Sequence, residues 1–261
     1  MVEKKKIFYS RQYRRFKSNK VNILLYLLLF VTPILILLIK SIPNISSLMS
    51  FLGVKVLGRY FPGIPMQIVD SRIAIIGIVE YIDLPTVYPK IAFTFLNFIV
   101  VILLLTFVST GKRKGNIVSI FFTIALSTHL INCIYFIFAS NYFPYSAFQY
   151  SDLYIKQQVG IWVIFAILTG LITGFLGRKG LFYKIAMFIG TILYSLVFGI
   201  IRYILFLYVL QRFSVLYMAL MFFVFGPFFD FLYLVGIYSI FINKMIELYE
   251  SQAGKDEWLW S

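Results

Sequence analysis

The chain has 261 residues, of which 61% are hydrophobic and 13% are charged, with a formal net charge of +14. This composition excludes a water-soluble globular domain, because the polar residues are too few to cover so apolar a chain. The one cysteine, Cys133, excludes an intrachain disulfide and any metal or iron–sulfur site built from several cysteines. The sequence therefore predicts an integral membrane protein.

Residues 1–20 form a basic segment ahead of the first apolar stretch. Basic segments beside a membrane span bind anionic lipid headgroups and anchor the adjoining helix. We favour this interpretation over nucleic-acid binding, since such segments mainly orient helices. The predicted anchor residues are Lys4, Lys5, Lys6, Arg11, Arg14, Arg15, Lys17 and Lys20.

Six apolar stretches are each long enough to cross about 30 Å of hydrocarbon as an α-helix. The predicted fold class is all-α, a polytopic integral membrane helical bundle of six transmembrane helices. The first stretch contains Pro33 and lacks a small-residue cleavage site after it, so it is predicted to remain as a helix. The stretches cover 21–39, 91–108, 117–139, 159–176, 185–209 and 215–242.

Residues 40–90 form the longest segment outside the predicted spans. Leu48, Phe51, Leu52 and Val56 have near-helical spacing, which indicates a short helix in the headgroup layer. The apolar run 73–82 is too short to cross as an α-helix, so it is either re-entrant or part of a small extracytoplasmic strand or cap. We favour the cap, because acidic and basic residues at the ends of this run are costly at depth.

The distribution of basic residues predicts the orientation. With the N-terminus inside, the inner segments 1–20, 109–116, 177–184 and 243–261 hold 16 lysines and arginines in 55 residues, against 7 in 75 for the outer segments. The positive-inside rule then places both termini in the cytoplasm. The predicted organisation is a basic segment 1–20, a first span 21–39, a cap 40–90, a bundle 91–242 and a cytoplasmic tail 243–261.

Four polar side chains within the predicted spans are the candidate functional residues: His129, Asn132, Arg202 and Asp230. Ionisable residues at depth pair with one another or mark ion and substrate paths. Helical rise places His129 and Asp230 at similar depth, which predicts that they pair. Arg202 either snorkels to water or donates to Asn132 or to carbonyls beside Gly226 and Pro227.

The expected function is transport or translocation through the cell membrane. No catalytic, nucleotide-binding or cofactor motif accompanies the spans, so we expect neither an enzyme nor a bound cofactor or metal. The chain is interpreted as a channel-like subunit of a DNA-transfer or secretion machine, with protein partners that include a separate cytoplasmic ATPase. Nucleic acid enters this interpretation as transported substrate. An alternative is a structural assembly subunit, in which these polar residues only join helices.

The apolar hairpins, each followed by an aromatic outer loop and then a polar residue, give a second alternative. In topology the chain resembles exosortase- and archaeosortase-like membrane transpeptidases. That resemblance implies an outer-face cysteine, then an arginine, then a histidine. This chain has Cys133 inside a predicted span, Arg202 after it, and no histidine beyond His129. The resemblance therefore implies at most a relative without a complete Cys/Arg/His site.

The orientation is tested by labelling single cysteines in a Cys133→Ser background. We expect a cysteine at Ser146 to react with an impermeant thiol reagent added to intact cells, and one at Ser109 to react only after permeabilisation. Labelling of Ser109→Cys from outside intact cells would contradict the orientation.

Overall fold

The computed structural model describes residues 14–16, 20–74, 76–110, 116–175, 180–250 and 258–260. Most of the described residues are helical. Its α-helices, in chain order, are α1 (Lys20–Tyr26), α2 (Thr32–Tyr60), α3 (Ile91–Thr110), α4 (Ile117–Ala139), α5 (Ala147–Phe175), α6 (Leu181–Phe213) and α7 (Gly226–Glu250).

Six helical stretches in this part of the chain are long and apolar enough to span a membrane, which confirms the predicted number. In the most apolar 18-residue segment of each stretch, at most 44% is buried. Much of the apolar surface of these helices therefore faces outward. Outward apolar surface of this extent suits contact with lipid. The stretches are Lys20–Tyr60, Ile91–Thr110, Ile117–Tyr142, Ala147–Phe175, Leu181–Phe213 and Val215–Glu247.

Two of these stretches contain a π-helical turn just before a proline. Leu27–Val31 joins α1 to α2 ahead of Pro33, and Leu220–Phe225 leads into α7 ahead of Pro227. Proline has no backbone N–H and its ring crowds the preceding turn. A wider turn at each position lets the helix continue through the proline with an altered hydrogen-bond pattern.

Two helices extend more than ten residues beyond the predicted bounds. The first predicted span continues through residue 39 to Tyr60, so the short helix expected around Leu48 is the end of α2. The fourth begins at Ala147 rather than at residue 159. The extra turns of α5 carry buried tyrosine and glutamine side chains that are central to the site described below.

The structure also contains a β-hairpin, so the fold is not purely helical. Strands β2 (Gln67–Ile73) and β3 (Gly77–Asp83) pair antiparallel, with Gln67 opposite Asp83 and Ile73 opposite Gly77. The hairpin lies in the segment for which a strand or cap was expected. Gly77 has φ +105° at the start of β3, a conformation that glycine adopts without steric cost.

The chain divides into two compact units, and α2, α5, α6 and α7 contribute residues to both. One unit comprises Met1–Leu38, Trp162–Tyr194 and Tyr233–Ser261. Within it Met187, Phe241 and Met245 form a buried apolar cluster. Strands β1 (Arg14–Phe16) and β4 (Trp258–Trp260) pair antiparallel in the same unit.

The predicted basic anchor falls largely outside the described residues. Arg14 and Arg15 lie in β1, and Lys20 begins α1 with an exposed side chain. The remaining anchor residues, Lys4, Lys5, Lys6, Arg11 and Lys17, lie outside the described part of the chain.

The second unit comprises Ile39–Ile161 and Ser195–Leu232 and contains the hairpin. Strand β3 is fastened to two helices by side chains. Ser46 Oγ accepts from Glu80 N at 3.1 Å and Ser50 Oγ donates to Glu80 O at 3.0 Å, while Ile82 N donates to Tyr203 Oη at 2.9 Å. The strand's backbone groups are thus satisfied by α2 and α6 on the side away from β2.

Tyr203 is the residue to test this attachment. Its hydroxyl accepts from Ile82 N and also bonds Ser151 Oγ at 2.6 Å. Tyr203→Phe leaves both groups buried without that partner, so we expect the free energy of unfolding to fall by about 1 to 3 kcal/mol.

The matched control is Tyr208→Phe, one turn and a residue further along α6, where the tyrosine ring packs against Tyr60 and Phe61. Denaturant titration in detergent measures the difference, and hydrogen exchange at Ile82 N–H should quicken only in Tyr203→Phe. Equal stability of the two variants would contradict the role given to the Tyr203 hydroxyl.

Candidate functional site

Arg202 is the centre of the site. It lies on α6 with 3% of its surface exposed, among mainly apolar residues. A guanidinium does not lose its proton in proteins, so a buried arginine needs acceptors in fixed positions. Four groups of the same unit supply them.

The guanidinium bonds side chains or backbone of α5 and α7. Nε donates to Tyr154 Oη at 2.6 Å, and Nη2 donates to Gln158 Oε1 at 2.5 Å. Nη1 donates to Gly226 O at 2.8 Å and lies 2.8 Å from Asp230 Oδ1. Each nitrogen of Arg202 therefore has an oxygen partner within 3 Å.

Helical spacing explains why these partners meet at one point. Tyr154 and Gln158 are four residues apart on α5, and Gly226 and Asp230 are four apart on α7. Residues at this spacing lie on one face of a helix, one turn above the other. Arg202 thus joins one face of α5 to one face of α7, and its planar fork of donors suits two such faces better than an ammonium would.

Aromatic rings surround the charge. The guanidinium carbon is 5.5 Å from the ring centre of Tyr154, 5.9 Å from that of Phe198 and 6.0 Å from that of Phe206. Phe198 and Phe206 lie one turn before and one turn after Arg202 on α6. Ring faces attract cations and exclude water, so they strengthen the electrostatic interactions inside the cluster.

The Arg202–Asp230 ion pair has both side chains at least 96% buried. Taking two charges out of water is costly, and only close contact with extra hydrogen bonds offsets that cost. Removing one partner from a buried pair typically costs about 3 to 5 kcal/mol, because the other charge is left alone. The pair therefore requires α6 and α7 to keep their present rotation about their axes.

Gly199 leaves space for the side-chain amide of Gln158. A Cβ atom at Gly199 would lie 2.8 Å from Gln158 Nε2 and 2.9 Å from its Cδ, which is closer than real Cβ contacts allow. The amide of Gln158 thus occupies the space beside a glycine of α6, three residues before Arg202. A side chain at position 199 would require this amide to shift.

The other two predicted site residues lie in a separate cluster on α4. His129 is 4% exposed, and its ring stacks on that of Tyr217 with centres 4.8 Å apart. Asn132 donates from Nδ2 to Leu216 O, and Tyr217 Oη donates to Asn97 Oδ1 at 2.6 Å. Neither ring nitrogen of His129 has a hydrogen-bond partner among the described residues.

In the structure, His129 and Asp230 have different partners and the predicted pair is not formed. Asp230 pairs with Arg202, while His129 contacts the tyrosine of the short turn Val215–Tyr217. Asn132, the other predicted partner of Arg202, also contacts that turn. The prediction that Arg202 donates to a carbonyl beside Gly226 and Pro227 matches the contact with Gly226 O.

Sequence reasoning missed Tyr154 and Gln158. They occur in "YSDLYIKQQ" (150–158), where the charged residues Asp152 and Lys156 lower the hydropathy and end the apolar signal. The spacing of Tyr150, Tyr154 and Gln158 by four residues was the available signal, since it places all three on one helix face.

Within the described residues, His, Cys, Asp and Glu nowhere come together in a group of three that could hold a metal ion. Comparison with protein-family models, with curated proteins and with solved structures finds no match. The interpretation of the site therefore depends on its geometry.

Gly199→Ala tests whether Gln158 needs the space beside α6. We expect the methyl group to push the amide off Arg202 and to lower the free energy of unfolding by about 1 to 3 kcal/mol, as overpacking does. Gly190→Ala is the matched control, because a Cβ there meets nothing within 4 Å. Alanine in a helix interior is favoured over glycine, so Gly190→Ala should unfold at equal or higher denaturant. Equal behaviour of both variants would contradict the close packing at Gly199.

Proposed function

We propose that this chain is a multi-pass protein of the cell membrane with both termini in the cytoplasm. In this proposal it is the membrane-embedded, channel-like transport or translocation subunit of a larger machine. The hairpin β2–β3 belongs to an extracytoplasmic cap between the first two spans. What supports the proposal is the six long apolar helices together with the excess of basic residues in the segments assigned to the inside.

One observation carries the transport proposal: the buried Arg202–Asp230 pair, 2.8 Å apart, within helices that are mainly apolar. Intramembrane ion pairs commonly line substrate and ion paths, and a pair that closes in one state can open in another. We take the present arrangement as the closed state, with the ion pair as a latch between α6 and α7.

The partners follow from the same proposal. The chain carries no nucleotide-binding motif, so the energy for translocation is assigned to a separate cytoplasmic ATPase. Anionic lipid binds the basic N-terminal segment, and nucleic acid enters only as cargo. The strand pair β1–β4 brings part of that basic segment beside Trp258–Trp260, residue types that are common at membrane interfaces.

A structural assembly subunit is the second candidate. The observation that favours it is the complete set of protein acceptors around Arg202, which leaves each guanidinium nitrogen bonded in this state. A transpeptidase-like site is less favoured. Cys133 and His129 lie on α4 and the His129 ring stacks on Tyr217, whereas Arg202 bonds residues of α5 and α7.

Loss of the latch should make the membrane leak. Asp230→Asn keeps the side-chain size but leaves the guanidinium without its counter-charge, so we expect water and small anions to enter beside it. Chloride efflux from proteoliposomes should be at least several-fold faster for Asp230→Asn than for the unaltered protein.

Asp70→Asn, at an exposed position of strand β2, is the control and should match the unaltered protein. Size-exclusion chromatography confirms that each variant is folded before reconstitution. Chloride retention by folded Asp230→Asn as complete as that of the control would exclude the latch and favour the structural role.

A further inference from the structure

The outer edge of strand β2 has no partner in the part of the chain that the structure describes. In an antiparallel pair, the N–H and C=O groups of one residue point to the same side of the strand. Glu80 bonds Ser46 and Ser50 with its N–H and C=O, so both groups point away from β2. Asp70 lies opposite Glu80, and its N–H and C=O therefore point away from β3.

The same alternation applies along β2. Ile68 lies opposite Ile82, whose N–H bonds Tyr203, and Arg72 follows Asp70 by two residues. Among the described residues, the outward backbone groups of Ile68, Asp70 and Arg72 have no hydrogen-bond partner. A row of unpaired backbone groups of this kind is a template for pairing with another strand.

Two opposite charges lie at this edge. Asp70 and Arg72 are exposed, and their side chains lie on one face of the strand because they are two residues apart. The ion pairs of the described residues include neither of them. Across the hairpin Asp70 lies opposite Glu80, and like charges directly opposite each other are destabilising. A cation on the free side of Asp70 offsets that repulsion.

We propose that β2 pairs antiparallel with β2 of a second copy of this chain, about a two-fold axis at Ser71. In this register Asp70 lies opposite the partner's Arg72, and Arg72 lies opposite the partner's Asp70. Each of these two pairs exchanges two backbone hydrogen bonds, because the outward groups of both residues face one another. The edge is thus self-complementary in its backbone groups and in its charges.

Charge selects this register among the symmetric ones. An axis at Asp70 places two aspartates directly opposite each other, and an axis at Arg72 does the same with two arginines, which is destabilising. An axis at Val69 places Asp70 opposite an isoleucine, Ile68, and forms neither ion pair. The axis at Ser71 forms both.

The resulting dimer is closed. Its strands have the order β3–β2–β2–β3, and the outer edges of this sheet already bond side chains of α2 and α6. A two-fold contact of this kind ends at two copies. The contact lies apart from the Arg202–Asp230 latch, so the inference does not rest on the transport proposal.

Charge exchange tests the contact with the full chain in proteoliposomes. Asp70→Arg makes both edge positions basic and Arg72→Asp makes both acidic, so each variant repels itself. We expect self-association of either variant to be at least tenfold weaker than that of the unaltered protein, measured by energy transfer between differently labelled copies. An equimolar mixture of the two variants should associate again, because every basic position then lies opposite an acidic one. Recovery in the mixture also shows that both variants are folded.

Cysteine cross-linking tests the register in a Cys133→Ser background. Ser71→Cys lies opposite itself in a non-hydrogen-bonded pair, where Cα atoms are about 4.5 Å apart, within reach of a disulfide. Val69→Cys on the same face is the matched control. Its two copies are offset by four residues, about 13 Å along the strand, which a disulfide cannot span. Mild oxidation in membranes should give a covalent dimer of Ser71→Cys alone.

Three results would overturn the inference: an unaltered protein that stays monomeric, no association in the mixture of variants, or equal cross-linking of Ser71→Cys and Val69→Cys. A monomeric unaltered protein would show instead that the charges protect the edge from pairing. Loss of the dimer alone should leave chloride retention unchanged, so failure of this contact and failure of the latch are separate outcomes.

Discussion

The site depends on one requirement: the buried guanidinium of Arg202 needs hydrogen-bond acceptors. Arg202 does not lose its proton, and its surroundings are mainly apolar. The helices around it must therefore present oxygen atoms at fixed distances. Tyr154 and Gln158 on α5 and Gly226 and Asp230 on α7 do so. This requirement fixes which face each helix turns toward α6, and general apolar packing would not specify those rotations as sharply.

A second buried contact extends this constraint to the hairpin. Tyr203 follows Arg202 directly on α6 and binds both Ile82 N of β3 and Ser151 Oγ of α5. Adjacent residues of a helix point about 100° apart, so Arg202 reaches α7 and Tyr203 reaches β3, while both also bond side chains of α5. A change in the rotation of α6 would therefore disturb the ion pair and the attachment of β3 together, which couples the cluster to the hairpin.

The sequence predicted the number of long apolar helical stretches well because a membrane span requires a long apolar run, a signal that few other structures share. It predicted helix ends poorly. Asp152 and Lys156 ended the apolar signal within α5, although the helix begins at Ala147. The depth of His129 and Asp230 was estimated from helical rise, but depth does not give rotation. Which faces meet depends on helix packing, and for that reason Asp230 pairs with Arg202 while His129 stacks on Tyr217.

A double-mutant cycle at Arg202 and Asp230 measures the central interaction most directly. Arg202→Leu and Asp230→Leu should each lower the free energy of unfolding in detergent by about 3 to 5 kcal/mol, because each leaves one buried charge. The double variant has no buried charge and should recover most of that loss, giving a coupling energy well above the few tenths of a kcal/mol seen between independent sites. Strictly additive losses would show that the two side chains do not interact and would contradict this account.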